Sequence, residues 1–170
     1  MSRNGPMETA GDSGSADTVM APGNGAALTE ISRYTGGAEE LYGIARRCFS
    51  APWSRLVFAD MLEDDGCGFF CARACGAAVG FCAVRAAADE GELLDIAVLP
   101  DYRRRGIGAA LLDAGIEYLR GAGAGRIFLE VRESNSAARG LYASRGFSLC
   151  GRRRSYYSSP LEDAVVMVLG

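Results

Sequence analysis

Residues 98–112 (VLPDYRRRGIGAALL) combine three arginines, two glycines and the start of an apolar helical pattern. Gly106 and Gly108 let a ligand come close to the backbone, because glycine has no Cβ atom. The first amides of a helix have no partner within it and attract anions, and the neighbouring guanidinium groups add positive charge. The segment therefore predicts a phosphate-binding site, more specifically one for a pyrophosphate. The alternative is a solvated run of charges before an ordinary helix.

Glu130 is an acidic residue within an apolar strand pattern, RIFLEV. Side chains alternate along a strand, so Glu130 lies on the face opposite Leu129 and its branched neighbours. A carboxylate in such surroundings needs a partner or a function. Two interpretations remain open at this point: a general base that lines a cleft, or a structural ion pair with Arg132 or Arg126.

Tyr142 follows Asn135 by seven residues, which places both on the same side of one short predicted helix. The phenol of Tyr142 is able to donate a proton, although a lone tyrosine more often packs in a core with its hydroxyl satisfied. Asn135 stands at the start of the helix, where the capping of free amides alone would explain it.

The composition excludes several classes of chemistry. The chain has 170 residues, all 18 of its basic residues are arginine, and it has no histidine. A Ser-His-Asp or Cys-His centre therefore lacks its base, and a Schiff base or a phosphate-binding P-loop lacks its lysine. The net charge of −3 argues against nucleic-acid binding. Six cysteines without a C-x-x-C pair predict reduced thiols and no metal site.

The apolar periodicity predicts one mixed α/β sheet with the element order β, α, α, β, β, β, α, β, α, β, β. Residues 1–26 contain almost no large apolar side chain, so we expect a disordered N-terminal tail followed by a single domain over residues 27–170. The sequence shows no signal-peptide pattern and no apolar run long enough for a membrane span. We expect a cytoplasmic monomer without a membrane or nucleic-acid partner.

The run RRRGIG resembles the coenzyme A signature of the Gcn5-related N-acetyltransferases (GNAT), in which Arg103, Gly106 and Gly108 fill the characteristic positions. The segments LLDIAVLPDYRRRGIG, LEVRESNSAARGLYASRGF and RRSYYSSPLEDAVVM are similar to the RimI-type branch of that superfamily. These bacterial enzymes acetylate the N-terminal alanine of the eighteenth small-subunit ribosomal protein. The resemblance extends over residues 28–168.

The resemblance implies the GNAT acyl-CoA N-acyltransferase fold, a single mixed and mostly antiparallel sheet of about seven strands with helices on both faces. It also implies acetyl-CoA as co-substrate, no metal, Glu130 as general base and Tyr142 as general acid. The peptide side of the cleft would be shaped by Arg154, Tyr156 and Tyr157. The coenzyme would contact Ile96, Ala97, Val98, Arg103, Arg104, Arg105, Gly106, Ile107, Gly108, Ala109 and Asn135.

The expected function is acetyl transfer from acetyl-CoA to the N-terminal α-amino group of a protein, with the ribosomal-protein alanine as the foremost acceptor. Such an amine has a pKa near 8, so its deprotonation at pH 7 requires only ~1.4 kcal/mol and no histidine. Two alternatives stay open: an acyltransferase for a small amine or a lysine side chain, and a non-catalytic acyl-CoA-binding module.

Overall fold

The computed structural model describes residues 19–21 and 29–170. The strands are β1 (Val19–Ala21), β2 (Thr29–Arg33), β3 (Cys67–Ala74), β4 (Ala77–Ala87), β5 (Glu90–Val98), β6 (Arg126–Arg132), β7 (Ser148–Ser158) and β8 (Leu161–Leu169). The α-helices are α1 (Ala38–Cys48), α2 (Arg55–Leu62), α3 (Ile107–Gly121) and α4 (Ser136–Ala143). A short 3-10 helix, Pro100–Tyr102, joins β5 to the loop before α3.

The strands form one sheet in the order β1-β2-β3-β4-β5-β6-β8-β7. Among the strands that the structure describes, β5 and β6 pair in parallel and every other neighbouring pair is antiparallel. The predicted mixed, mostly antiparallel sheet is therefore confirmed. The sheet has one strand more than the seven expected, namely β1. This strand lies within residues 1–26, for which we expect a disordered tail, and it pairs with β2. The remaining residues of that tail lie outside the described part of the chain.

Helices cover both faces of the sheet, as expected. The ring of Phe58 in α2 lies 5.6 Å from that of Phe81 and 6.3 Å from that of Phe69. The ring of Tyr118 in α3 lies 5.7 Å from that of Phe70. Neighbouring residues of a strand point to opposite faces, so α2 and α3 pack on opposite sides of β3. We call these sides the α2 face and the α3 face.

The other two helices join these layers. Helix α1 packs against α2 and α4 lies beside α3, where the Arg145 guanidinium donates to the Asp113 carboxylate at 2.8 Å. The large apolar side chains that become fully buried come from the helices and the central strands, for example Leu41, Leu111 and Ile127.

The sheet divides between β5 and β6. Their parallel register covers four residue pairs and ends at Leu93 and Leu129. Beyond that point β5 continues against β4, with Asp95 opposite Ala83, while β6 continues against β8. The C-terminal ends of these two strands thus lie next to each other in sheet order without pairing, and a wedge-shaped opening forms between them.

The C-terminal hairpin is longer than its apolar pattern predicts. The sequence pattern predicts the last two strands over residues 147–151 and 165–169, whereas β7 extends to Ser158 and β8 starts at Leu161. The full length of β7 cannot be predicted from apolar periodicity, because nearly all of its side chains are exposed and its sequence does not alternate between apolar and polar residues.

Candidate active site

The opening between β5 and β6 is a cleft of about 590 Å³. Its walls come from the connection between α1 and α2, the separated ends of β5 and β6, the helix α4 and the end of β7. Six of the residues predicted from the sequence line it: Ile96, Glu130, Asn135, Tyr142, Tyr156 and Tyr157. The structure therefore brings together side chains that lie up to 61 positions apart, from residue 96 to residue 157.

Glu130 projects from β6 on the α2 face and is only 18% exposed. Its carboxylate forms an ion pair with Arg153 on β7, with 2.6 Å between Oε1 of Glu130 and Nε of Arg153. Hydrogen bonding to Glu130 raises the pKa of Tyr156 to about 12. The ion pair anticipated with Arg132 or Arg126 is wrong in its partner, because those arginines pair with Glu162 and Glu90 respectively.

Tyr142 is 6% exposed and packs against Phe147, with 6.0 Å between ring centroids. Burial raises the pKa of its phenol, so the hydroxyl keeps its proton. That hydroxyl makes no hydrogen bond to any other described residue, yet the side chain lines the cleft. Such a phenol, without a hydrogen-bond partner among the described residues, is able to donate its proton to a ligand in the cleft.

Asn135 caps α4, as one of its two interpretations predicts, and it also lines the cleft. Its Oδ1 accepts a hydrogen bond of 3.1 Å from the amide of Ala138, which caps α4. Its side-chain nitrogen donates no hydrogen bond to the part of the protein that the structure describes, which leaves it free for a ligand in the cleft.

The arginine- and glycine-rich segment of residues 103–108, which we call the Arg/Gly loop, lies beyond the end of β5 and leads into α3. The first hydrogen bond of α3 runs from the amide of Ala110 to the carbonyl of Gly106 at 3.0 Å. The amides of Ile107, Gly108 and Ala109 thus have no partner within the helix. Gly106 adopts a φ of 80° as the N-cap, in the left-handed region that favours glycine. Free amides at a helix start beside exposed arginines are features that favour the binding of an anion.

The three arginines of this loop differ in their contacts. Arg103 donates from Nε to the carbonyl of Val98 at 2.9 Å, and Arg105 donates to the carbonyl of Asp101 at 2.8 Å. Arg104 is exposed, with a φ of 61°. Two of the three side chains thus brace the loop, while the free amides of α3 remain available to an anion.

Three kinds of predicted site residue lie outside the cleft lining. Ala97 and Val98 are the last residues of β5, beyond the part of the strand that lines the cleft. The predicted residues 103–109, which follow the end of β5, are also absent from the lining. Arg154 is exposed on β7 and does not line the cleft, unlike the two tyrosines that follow it. A peptide-shaping role for Arg154 therefore has less geometric support than the same role for Tyr156 and Tyr157.

Asp95 is a cleft residue that the sequence analysis does not identify. It interrupts the branched apolar strand ELLDIAV in the same manner as Glu130 interrupts RIFLEV, and that acidic interruption is the signal that marks it. Its Oδ1 accepts a hydrogen bond of 3.0 Å from the amide of Ile96. Burial raises the pKa of Asp95 to about 7, and the Ile96 amide only partly offsets that effect.

The segment between α1 and α2 also contributes unpredicted lining residues, among them Cys48, Phe49 and Trp53. They give one wall of the cleft an apolar surface. Within residues 19–21 and 29–170, no group of three or more His, Cys, Asp or Glu residues could hold a metal ion. No helix in the same part of the chain is long and apolar enough to cross a membrane.

Comparison with known proteins agrees with this geometry. The Acetyltransferase (GNAT) family profile matches residues 38–147. The chain is 39% identical over 130 residues to the [ribosomal protein bS18]-alanine N-acetyltransferase of Escherichia coli (strain K12), a match covering 75% of this chain and 87% of that protein. It is 38% identical over 120 residues to the N-alpha-acetyltransferase RimI of Mycobacterium tuberculosis, covering 68% and 74% of the two chains.

A solved structure shows the same fold. The crystal structure of the ribosomal-protein-S18-alanine N-acetyltransferase from Escherichia coli superposes with a TM-score of 0.77 at 37% identity, and the match covers 83% of this chain and 92% of that one. The chain therefore belongs to the GNAT family of acetyltransferases, and the resemblance to its RimI-type branch is confirmed.

We predict that Asp95→Asn stabilises the folded protein more at pH 8 than at pH 5. The folded state raises the pKa of Asp95 to about 7, above its ordinary value of about 4, so it holds a proton that the unfolded chain has already released. The free energy of unfolding therefore falls as the pH rises from about 4 to about 7, by up to about 1.4 kcal/mol per pH unit. Asparagine has no such loss.

Denaturant unfolding at the two pH values measures this effect. Asp60→Asn, at an exposed position of α2, serves as the control and should leave the difference between pH 5 and pH 8 unchanged. If Asp95→Asn altered the free energy of unfolding equally at both pH values, the raised pKa of Asp95 in the folded protein would be refuted.

Proposed function

We propose that this chain transfers the acetyl group of acetyl-CoA to the N-terminal α-amino group of a protein, with the N-terminal alanine of the eighteenth small-subunit ribosomal protein as acceptor. The observation that carries the proposal is the opening between β5 and β6: a loop of arginines and free amides follows the end of β5, and the cleft beside it is lined by a carboxylate and by a phenol without a hydrogen-bond partner among the described residues. The similarity to enzymes named for that ribosomal acceptor supports the choice of substrate.

The coenzyme is assigned to the α3 side of the opening. The free amides at the start of α3 and the positive loop around Gly106 suit the pyrophosphate. Because residues 94–98 of β5 have no partner strand on the β6 side, backbone groups of Ile96, Ala97 and Val98 are available to the amides of the pantetheine arm. The thioester would then lie in the cleft, within reach of Asn135.

The chemistry is a direct attack. The neutral α-amine of the acceptor adds to the thioester carbonyl, and Glu130 takes a proton from the nitrogen. The C–S bond breaks, and the departing thiolate takes the proton of the Tyr142 hydroxyl. Glu130 belongs to the α2 face whereas Tyr142 belongs to α4 beside α3, so base and acid stand on the acceptor side and the coenzyme side respectively.

The acceptor side is formed by aromatic and apolar groups around Glu130. The rings of Tyr156 and Tyr157 lie 5.2 Å apart in an edge-to-face arrangement, and Trp53 faces the same cleft. A small first side chain such as alanine suits this enclosed wall. Every group invoked comes from one chain, so a monomer suffices, and an acceptor that is a ribosomal protein places the reaction in the cytoplasm.

We predict that coenzyme A is released when the protein is given acetyl-CoA and a peptide that starts with alanine. The same peptide with a blocked N-terminus should give no release above background, since it has no free α-amine. A free lysine analogue should react far more slowly. Faster turnover of the lysine analogue would instead assign the chain to side-chain or small-amine acylation, and no release with any amine would indicate a non-catalytic acyl-CoA-binding module.

We predict that Gly106→Val abolishes measurable acetyl-CoA binding, because a branched side chain fills the space that the phosphates need. Gly76→Val is the matched control. Gly76 has a φ of 81° and Gly106 a φ of 80°, so valine strains the backbone similarly at both positions, and a Cβ at either position meets no atom within 4 Å. Isothermal titration of both variants separates lost space from backbone strain. Equal affinity of wild type and Gly106→Val would refute the loop assignment.

We predict that Glu130→Gln and Tyr142→Phe each lower kcat by ~10²–10⁴, the range for a positioned proton-transfer group, with acetyl-CoA affinity unchanged. Higher pH should partly rescue Glu130→Gln, because more of the amine arrives neutral. It should not rescue Tyr142→Phe, whose defect concerns the leaving thiolate. Glu133→Gln is the control, because Glu133 pairs with Arg152 in a neighbouring ion pair outside the cleft.

Steady-state rates from pH 6 to 9 give the comparison. If Glu130→Gln behaved like Glu133→Gln, the Glu130 carboxylate would be only the partner of Arg153.

A further inference from the structure

We propose that Asp95 binds the ammonium group of the acceptor and takes its first proton, which leaves Glu130 to take the second. This inference rests on the proposed function and identifies a further residue for the same reaction. It depends on where a β-bulge places Asp95, on the absence of a cation beside it among residues 19–21 and 29–170, and on the number of protons that the acceptor nitrogen must lose.

The bulge sets the direction of the Asp95 side chain. Val84 pairs with Leu93 and Ala83 pairs with Asp95, so Leu94 is an extra residue without a partner on β4. Directly paired residues share a face, and Ala83 shares its face with Phe81, which contacts α2. Asp95 therefore lies on the α2 face.

Glu130 lies on the same face of the other strand. Leu93 and Leu129 are parallel partners on the α3 face, as shown by Val84, the partner of Leu93, which approaches Gly115 of α3. Glu130 is the next residue after Leu129 and points the opposite way. Without the bulge Leu94 would occupy this face; with it, two carboxylates face the opening from its two sides, where the acceptor is assigned.

The two carboxylates differ in their partners. Glu130 is held by the Arg153 cation, whereas Asp95 forms no ion pair with the residues that the structure describes. A carboxylate that is shielded from water in its charged form requires a compensating cation or a proton. The acceptor ammonium group is a cation that would enter this cleft.

The groups around Asp95 do not supply that cation. Glu92 precedes it on the same strand, and Arg132 is already paired with Glu162 and stacked on the Tyr157 ring at 4.1 Å. The other titratable groups that line the cleft with Asp95 are Cys48, Glu92, Glu130, Arg132, Tyr142, Tyr156 and Tyr157, and Cys82 of β4 also interacts with Asp95 electrostatically.

The proton balance requires two acceptors. A protein N-terminus is mostly ammonium at pH 7, and its nitrogen loses two protons when it becomes an amide. Asp95 takes the first as the amine becomes neutral, and Glu130 takes the second as the new C–N bond forms and the C–S bond breaks. Tyr142 gives one proton to sulfur and is later reprotonated, so each turnover releases one proton to solvent.

The acidity of Asp95 fits this exchange. Its pKa of about 7 lies within about one unit of that of the α-amine, so proton transfer between them is nearly balanced. In the free enzyme near pH 7, part of the Asp95 population is thus protonated. Binding of an ammonium group favours the carboxylate and should expel that proton.

The test uses the intact protein, saturated with coenzyme A, and a peptide that starts with alanine. Titration calorimetry at pH 7 in two buffers with different ionisation enthalpies counts the protons released on binding. Wild type should release a measurable fraction of a proton per peptide. Asp95→Asn should release none and bind the peptide roughly tenfold more weakly. Asp60→Asn should behave as wild type.

Turnover adds a second readout. Asp95→Asn should raise the KM for the peptide at pH 7 while acetyl-CoA affinity stays constant, and the difference from wild type should shrink at pH 9, where the amine arrives neutral. Equal proton release by wild type and Asp95→Asn, or an activity loss of the same size at every pH, would overturn the assignment.

These results separate the two proposals. Acetylation of the peptide by wild type without proton release on binding would contradict the role of Asp95 and leave the proposed function standing. Proton release that depends on Asp95, without acetylation, would contradict the proposed function and leave Asp95 as an ammonium-binding group.

Discussion

The parallel pairing of β5 and β6 ends after Leu93 and Leu129, and the site depends on that interruption. Two neighbouring strands normally satisfy each other's amide and carbonyl groups, and unpaired backbone inside a protein is unfavourable. Here the pairing of β5 with β4 and of β6 with β8 continues on the outer sides, so the sheet stays intact while its centre opens. An extended ligand with amide groups of its own is suited to the free inner edges.

The opening also separates two electrostatic environments. On the α3 side lie the free amides of α3 and the Arg/Gly loop, which favour negative charge. On the α2 side lie Asp95 and Glu130, and within the described part of the chain one cation, Arg153, is in direct contact with Glu130. In the proposed reaction, an anionic coenzyme and a cationic amine would each be drawn to a different side and would meet where the strands separate.

Part of this site could be predicted from the sequence. The Arg/Gly loop, the cap at Asn135 and the acidic interruption at Glu130 depend on local spacing, and the structure retains all three. Helices and central strands follow the apolar periodicity closely, because burial against one core enforces it.

The remainder depends on long-range contacts and irregular backbone. Arg153, the partner of Glu130, lies on a polar strand without apolar alternation. The face of Asp95 is set by the unpaired Leu94, and a bulge of this kind leaves no periodic trace. Strand β1 contains only three residues within a segment of low hydrophobicity, so its pairing with β2 has no sequence signal.

The most direct measurement is a crystal structure of the protein with coenzyme A joined through its acetyl carbon to the nitrogen of an alanine peptide. The conjugate should pass through the opening between β5 and β6, with its pyrophosphate on the amides of α3 and its acetyl carbon between Glu130 and Tyr142. The peptide nitrogen should lie on the α2 side. A conjugate bound elsewhere, with the opening unoccupied, would contradict the account.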